Sequence, residues 1–149
     1  MIEDASGDLF AASVDALVNP VNTLGVMGKG LARAFARRFP DNLDAYRRAC
    51  RAGEVRIGHV LVVDRAPASP RWILNLPTKR HWRARSRLDD VRAGLVDLVR
   101  CVREHDITSL AIPALGCGLG ALDWRDVRPL VVDACAPLAT VRIRLFPPQ

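Results

Sequence analysis

Lysine is nearly absent from this chain. Of its 22 basic residues only Lys29 and Lys79 are lysines, and the other twenty are arginines. Arginine keeps its charge at any working pH, whereas a desolvated lysine can lose its proton and act as a base or a nucleophile. Both lysines lie in segments marked by glycine or proline, which we predict to be loops. A chemical role for them competes with the explanation that two lysines survived a drift of composition towards arginine.

Several other features are missing. No C-x-x-C pair occurs among the four cysteines, so the sequence indicates neither a zinc site nor a disulfide scaffold. No apolar run approaches the roughly 18 residues of a membrane span. The acidic N-terminus lacks the basic start of a signal peptide. We therefore expect a cytoplasmic protein with no membrane association, no metal site and no cofactor.

Length and composition suit a globular protein. The 149 residues, half of them hydrophobic, fit one domain spanning 1–149 with a sizeable core. The formal charge of +6 and the pI near 9.9 favour anionic partners such as phosphates or nucleic acid. The charge does not choose between these partners, and a basic balance is often only a solvated surface.

Strand and helix patterns alternate along the chain. We predict strands at 16–18, 59–63, 71–76, 109–113 and 140–146, and helices at 30–39, 41–51, 86–104 and 124–136. This alternation is typical of a layered α/β fold with a mostly parallel central sheet. Ligands of such sheets bind at the carboxyl ends of the strands. Three special loops follow predicted strands, and we expect them to converge on one cleft: 19–30, 76–83 and 113–120.

Two of these loops are rich in glycine. Residues 25–30 read Gly-Val-Met-Gly-Lys-Gly and lead into a helix, and residues 116–120 read Gly-Cys-Gly-Leu-Gly. Glycine lets the backbone approach a phosphate, and a helix start supplies unpaired amides. Two such loops would hold a diphosphate better than one, although a simple glycine-requiring turn explains each equally well. The spacing of a Walker loop is absent, which disfavours NTP hydrolysis.

Polar side chains flank the same loops. Asn19 and Asn22 could bond ligand hydroxyls, or could only stabilise the turn. Asp8 could accept a hydrogen bond from an exocyclic amine, or could be a turn residue. Residues 79–87 mix cations with Trp82, which suits backbone phosphates and a stacked base. A solvated basic loop with Trp82 packed inward explains this segment at least as well.

At these residues the chain resembles the macrodomain family. The motifs at 7–9, 15–22, 25–30 and 112–118 match the family pattern in order. The resemblance implies a three-layer α/β/α fold with a mixed, mostly parallel central sheet, and ADP-ribose as the ligand. It implies that Asp8 binds the adenine amine, that the glycine loops hold the diphosphate, that Asn22 faces the distal ribose and that Phe146 covers the adenine. The ADP-ribose-binding residues implied in this way are Asp8, Leu9, Asn19, Asn22, Gly28, Lys29, Gly30, Pro113, Gly116, Cys117, Gly118, Leu119, Gly120 and Phe146.

Within the family the chain is similar to the branch that contains the DarG antitoxin macrodomain and the terminal ADP-ribose protein glycohydrolase. That branch uses a catalytic lysine, which maps to Lys79, and we predict Lys79 and Asn22 as the catalytic pair. The protein glycohydrolase also carries an acidic residue in its last loop, where this chain has Gly120. The resemblance therefore leaves a covalent and an acid/base mechanism open.

The resemblance implies a hydrolase that removes mono-ADP-ribose from a macromolecule. Its substrate would be thymidine-linked ADP-ribose on DNA or glutamate- or aspartate-linked ADP-ribose on protein, and the arginines and Trp82 between residues 80 and 85 favour DNA. We expect no stable protein partner. Two alternatives are a non-catalytic module that reads ADP-ribose and a nucleic-acid binder driven by charge.

Overall fold

A mixed six-stranded sheet forms the centre of the computed structural model, which describes all 149 residues. The strands are β1 Ile2–Asp4, β2 Ala16–Asn22, β3 Leu61–Asp64, β4 Trp72–Lys79, β5 Ser109–Ile112 and β6 Arg142–Leu145. Their order across the sheet is β1-β6-β5-β2-β4-β3. Every neighbouring pair is parallel except β3 and β4, so the predicted fold class is confirmed.

Helices cover both faces of the sheet. They are α1 Gly30–Arg38, α2 Pro40–Arg51, α3 Leu88–Glu104 and α4 Trp124–Cys135, and a 3₁₀ turn spans Leu9–Ala11. Successive strand residues point to opposite faces. Leu17 belongs to the same hydrophobic cluster as Phe35 of α1, whereas Val18 belongs to a second cluster with Leu98 of α3 and Val131 of α4. This alternation produces the three layers. None of the helices combines the length and apolarity that a bilayer crossing demands.

A glycine lets α3 lie close to the sheet. A Cβ placed on Gly94 would fall 2.6 Å from Cδ2 of Leu76 in β4. Real carbon atoms do not approach so closely, so the helix can dock at this depth only because the side chain is missing. Since α3 is thereby fixed against β4, its first turn has a defined position beside the end of that strand.

Two strands extend further than the sequence predicted. The first strand was expected to end at Val18, stopped by Asn19 and Pro20, but β2 continues through Pro20 to Asn22. In the same way β4 continues through Pro77 to Lys79. The β5 ladder reaches β2 only at Ala16 and Leu17, and the β3 ladder ends at Asn75. Beyond those points each strand has a neighbour on one side only, where a missing backbone N–H is tolerated.

Candidate active site

A cavity of about 830 Å³ opens at the carboxyl ends of β2, β4, β5 and β6. It has the size of a ligand pocket and lies where open α/β sheets bind ligands. The three loops expected to converge do so here. Of the site residues predicted from the sequence, the following line it: Asp8, Leu9, Asn22, Gly28, Lys29, Gly30, Lys79, Pro113, Gly116, Cys117, Gly118, Leu119, Gly120 and Phe146.

Asn19 is the exception, and its predicted contact with the ligand is wrong for this structure. Its side chain is fully buried and donates to Oδ1 of Asn75, 3.0 Å away, the residue opposite it on β4. Asn75 in turn exchanges hydrogen bonds with Asn42 of α2, at 3.0 and 2.8 Å. Through Asn75 and Asn42, Asn19 therefore links the sheet to α2 beneath the cavity.

Free backbone amides line the middle of the cavity. The N–H groups of Gly28, Lys29 and Gly30 donate no hydrogen bond within the chain, and neither do those of residues 118–120. A Cβ on Gly30 would lie 3.5 Å from Cδ1 of Leu119, so the two loops approach each other. Two converging sets of unpaired donors, one at a helix N-terminus, form a cradle for an anion.

The second of these loops has no room for a side chain at Gly120. A Cβ there would lie 2.3 Å from Oγ of Ser86 and 2.5 Å from the carbonyl oxygen of Gly116. The loop is closed further by a hydrogen bond from Ser86 N to the carbonyl oxygen of Gly120, at 3.0 Å. An acidic residue at this position would require the loop to be rebuilt, which gives a physical reason for the glycine found there.

Asn22 organises the first loop from the end of β2. Its Oδ1 accepts from the backbone N–H of Leu24 at 2.9 Å, and its Nδ2 donates to the carbonyl oxygen of Val26 at 2.7 Å. The buried Tyr46 hydroxyl of α2 lies 2.7 Å from the Asn22 carbonyl oxygen and accepts from Gly25 N at 3.2 Å. Asn22 therefore lines the cavity while its carboxamide holds the turn, and its bond to a ligand hydroxyl stays a prediction.

Lys79, the last residue of β4, is half-buried and lines the cavity beside Asn22. Its Nζ donates to the carbonyl oxygen of Trp82 at 3.4 Å, and it forms no salt bridge with any carboxylate. Desolvation by burial lowers the pKa of this ammonium from its ordinary value. A lowered pKa makes the ammonium a stronger acid and makes the free amine more available, which are the two properties that lysine catalysis requires.

The thiol of Cys117 also lines the cavity but is a poor candidate for chemistry. Burial raises its pKa to about 11. The thiolate is the nucleophilic form of cysteine, and it is scarce at neutral pH when the pKa is that high. Lys79 is therefore the stronger candidate for a reactive group in this cavity.

The opposite end of the cavity is aromatic. Phe146 lines it but is only 5% exposed, because it belongs to the same buried hydrophobic cluster as Leu9. Phe10, which the sequence analysis missed, is partly exposed in the wall, with the Arg38 guanidinium 4.6 Å from its ring centre. Its position beside Asp8 and Leu9 was the available signal. Asp8 caps the 3₁₀ turn by accepting from Phe10 N at 2.9 Å.

Trp82 stands at the rim beside Lys79 and is 38% exposed. The Arg83 guanidinium lies 4.4 Å from its ring centre, and the His81 ring stacks on it at 5.3 Å. One interpretation of the sequence had Trp82 packed inward. The structure shows instead that its side chain is not packed into the core. It presents an aromatic and cationic rim next to the amine.

The fold and this cavity define a class of protein. A family model described as Macro domain matches residues 18–131, and the chain belongs to the macrodomain family. The predicted resemblance is thereby confirmed.

Two curated relatives with about half of their aligned residues identical share one name. A Mycobacterium tuberculosis protein named DNA ADP-ribosyl glycohydrolase is 50% identical over 150 residues, covering 100% of this chain and 43% of the relative. Its counterpart from Thermus aquaticus is 48% identical over 99% of this chain and 41% of the relative. The chain therefore spans about two fifths of the length of these curated relatives.

Solved structures agree with the sequence relatives. The macrodomain of Mycobacterium tuberculosis DarG superimposes with a TM-score of 0.97 at 50% identity, covering 100% of this chain and 99% of that one. Thermosipho africanus DarTG, in complex with ADP-ribose, gives a TM-score of 0.90 at 36% identity, covering 95% of this chain and 40% of that one. The predicted likeness to DarG is confirmed.

Proposed function

We propose that this chain hydrolyses the bond between mono-ADP-ribose and a modified macromolecule, with thymidine-linked ADP-ribose on DNA as the preferred substrate. The observation that carries the proposal is the half-buried amine of Lys79, which has no carboxylate partner. It lies in a cavity whose loops offer unpaired backbone N–H donors. The Mycobacterium tuberculosis relative, 50% identical over the whole of this chain, is named DNA ADP-ribosyl glycohydrolase, and that name supports the same chemistry. The cytoplasmic location stays a prediction from the sequence.

The two glycine loops would bind the diphosphate. Free N–H groups at residues 28–30 and 118–120 match its oxygens, and the start of α1 adds the positive end of a helix dipole. At the aromatic end, the wall that holds Asp8 and Phe10 would take the adenosine moiety. Binding of these two parts fixes the distal ribose near Asn22 and Lys79, so the loops contribute proximity rather than proton transfer.

Bond cleavage would build positive charge on the anomeric carbon of the distal ribose, as in other glycosidic chemistry. The electrons of the broken bond pass to the departing base, which receives the proton of the Lys79 ammonium. Water then adds to the anomeric carbon, and its proton restores the ammonium. We favour this acid role because Lys79 has no carboxylate partner and Gly120 leaves no room for an acid that would resolve a lysine adduct.

The rim favours DNA over protein as the carrier of the modification. Arg83 and Arg85 are exposed in the segment that follows Lys79, and Trp82 offers an aromatic surface beside Arg83. Phosphates on either side of a modified nucleotide suit the guanidinium groups, and a neighbouring base suits the aromatic ring. A carboxylate-linked protein substrate would gain little from this arrangement.

A direct assay tests the proposal. Thymidine-linked and glutamate-linked ADP-ribose substrates are incubated side by side with the protein, with and without EDTA, and free ADP-ribose is measured. We expect faster release from the DNA substrate and no effect of the chelator, since no group of three or more potential metal ligands occurs. Tight ADP-ribose binding without release from either substrate would instead identify a reader module and overturn the proposal.

A further inference from the structure

Thr23 holds the backbone around Lys79 from the side of β2. Its N–H donates to the carbonyl oxygen of Lys79 at 3.1 Å, and its hydroxyl donates to the carbonyl oxygen of Arg80 at 2.8 Å. These bonds join the first loop to the end of β4. They do not restrain the peptide units between Arg80 and Trp82, whose position depends on other contacts.

The second restraint comes from α3. Asp90, in the first turn of that helix, accepts from Nε of Arg80 at 3.1 Å through Oδ2 and from a terminal nitrogen of Arg80 at 3.1 Å through Oδ1. The pair is bidentate, which fixes the orientation of the guanidinium as well as its distance. Hydrogen bonding to Asp90 also raises the pKa of Arg80.

The burial of Asp90 is unusual in this chain. It is the only charged side chain among the 47 buried residues, with 8% of the side chain exposed. Removing a carboxylate from water is costly, and an aliphatic residue at this position would avoid that cost. A buried charge whose partner directly follows Lys79 in the chain calls for a role other than stability.

We propose that Asp90 is a positioning residue that acts through Arg80 to hold Lys79 at the cavity. The inference rests on the proposed function, because it assigns Asp90 to the same reaction. Gly94 docks α3 against β4, so α3 provides a rigid point of attachment. Thr23 on one side and Asp90 on the other then restrain the backbone at the end of β4, where Lys79 lies. A displacement of about 1 Å in such a group can lower a rate by on the order of 100-fold.

The test compares Asp90→Asn and Arg80→Gln with the matched control Asp89→Asn. Asp89 is the preceding residue of α3 and is exposed, with its own arginine partner, Arg92. We expect each of the first two variants to lower kcat on the ADP-ribosylated oligonucleotide by on the order of 10- to 100-fold. The Kd for free ADP-ribose should stay within about two-fold, and the double variant should be no slower than the slower single variant. Asp89→Asn should match the wild type.

A second readout does not depend on turnover. Because the chain has only two lysines, labelling lysine with ¹³C and ¹⁵N gives one set of side-chain signals for each of them in NMR spectra. The Lys79 signal should shift in Asp90→Asn and in Arg80→Gln, whereas the Lys29 signal should stay in place. Thermal melting of each variant shows whether it is folded.

Each outcome decides the matter. If Arg80→Gln raises KM without changing kcat, Arg80 is a DNA contact and the proposal is overturned. It is equally overturned if the Lys79 signal does not move in folded Asp90→Asn. If the wild type itself releases no ADP-ribose, the proposed function fails, and the lysine signals alone then show whether Asp90 positions Lys79.

Discussion

Asn22 and Lys79 face each other across the parallel strands β2 and β4, although the regular register would not pair them. Val21 pairs with Pro77, and the next pair is Asn22 with Lys79, so Thr78 is an extra residue on β4. Such a bulge turns the following side chains relative to the regular pleat. Here it brings the two predicted catalytic residues side by side in the wall of the cavity.

Replacement of Lys79 tests the chemistry directly. We expect Lys79→Ala to abolish release of ADP-ribose while the Kd for free ADP-ribose, measured by calorimetry, changes by less than about three-fold. The reason is that the unpaired amides bind the diphosphate without the amine. Lys79→Arg is the matched variant: it keeps a positive charge but does not give up its proton in proteins. Slow but measurable turnover by Lys79→Arg would mean that charge alone supplies part of the effect.

The pH dependence of turnover separates the two roles of Lys79. Burial lowers the pKa of its ammonium. If the ammonium is the acid, the active form is protonated, so kcat is highest below this lowered pKa and falls as the pH rises through it. If the free amine is the nucleophile, kcat rises through the same range. We expect the falling limb in a pH–kcat profile, and a rising limb would contradict the acid role.

Gly120 should not tolerate a side chain. We expect Gly120→Ala to lower the free energy of unfolding by about 1–3 kcal/mol, because its Cβ overlaps Oγ of Ser86 and the Gly116 carbonyl oxygen. Gly118→Ala is the control in the same loop. Its Cβ would meet nothing within 4 Å, and the change should stay within about 0.5 kcal/mol. Urea unfolding of both variants measures the difference, and equal stabilities would show that the loop adapts.

Tyr46 should stabilise the loop that Asn22 organises. Tyr46→Phe removes a buried hydroxyl that bonds the Asn22 carbonyl oxygen and accepts from Gly25 N, leaving both groups without this partner. We expect a loss of about 1–3 kcal/mol in the free energy of unfolding. Amide hydrogen exchange at Leu24 and Val26 should accelerate as the turn loosens. Unchanged exchange at these two amides would show that the Asn22 carboxamide holds the turn without help from α2.

Local patterns in the sequence predict the fold class and several residues of the cavity. The alternation of apolar runs and turn signals predicts the layered fold, because periodicity alone sets which face of each helix or strand is buried. The glycine loops and the two lysines among so many arginines were also visible, since loop chemistry depends on residues that are neighbours in the chain. Phe10 was missed because no periodicity distinguishes a wall residue from a core residue.

Only the tertiary structure decided which polar residues meet the cavity and which lie beneath it. Asn19 and Asn22 look alike in sequence, but Asn75 stands opposite one across the sheet, and the bulge aligns the other with Lys79. The partnership of Arg80 with a buried Asp90 was equally invisible, because it depends on how deeply α3 docks against β4. Register and docking depth are set by contacts between segments far apart in the chain, and local patterns do not encode them.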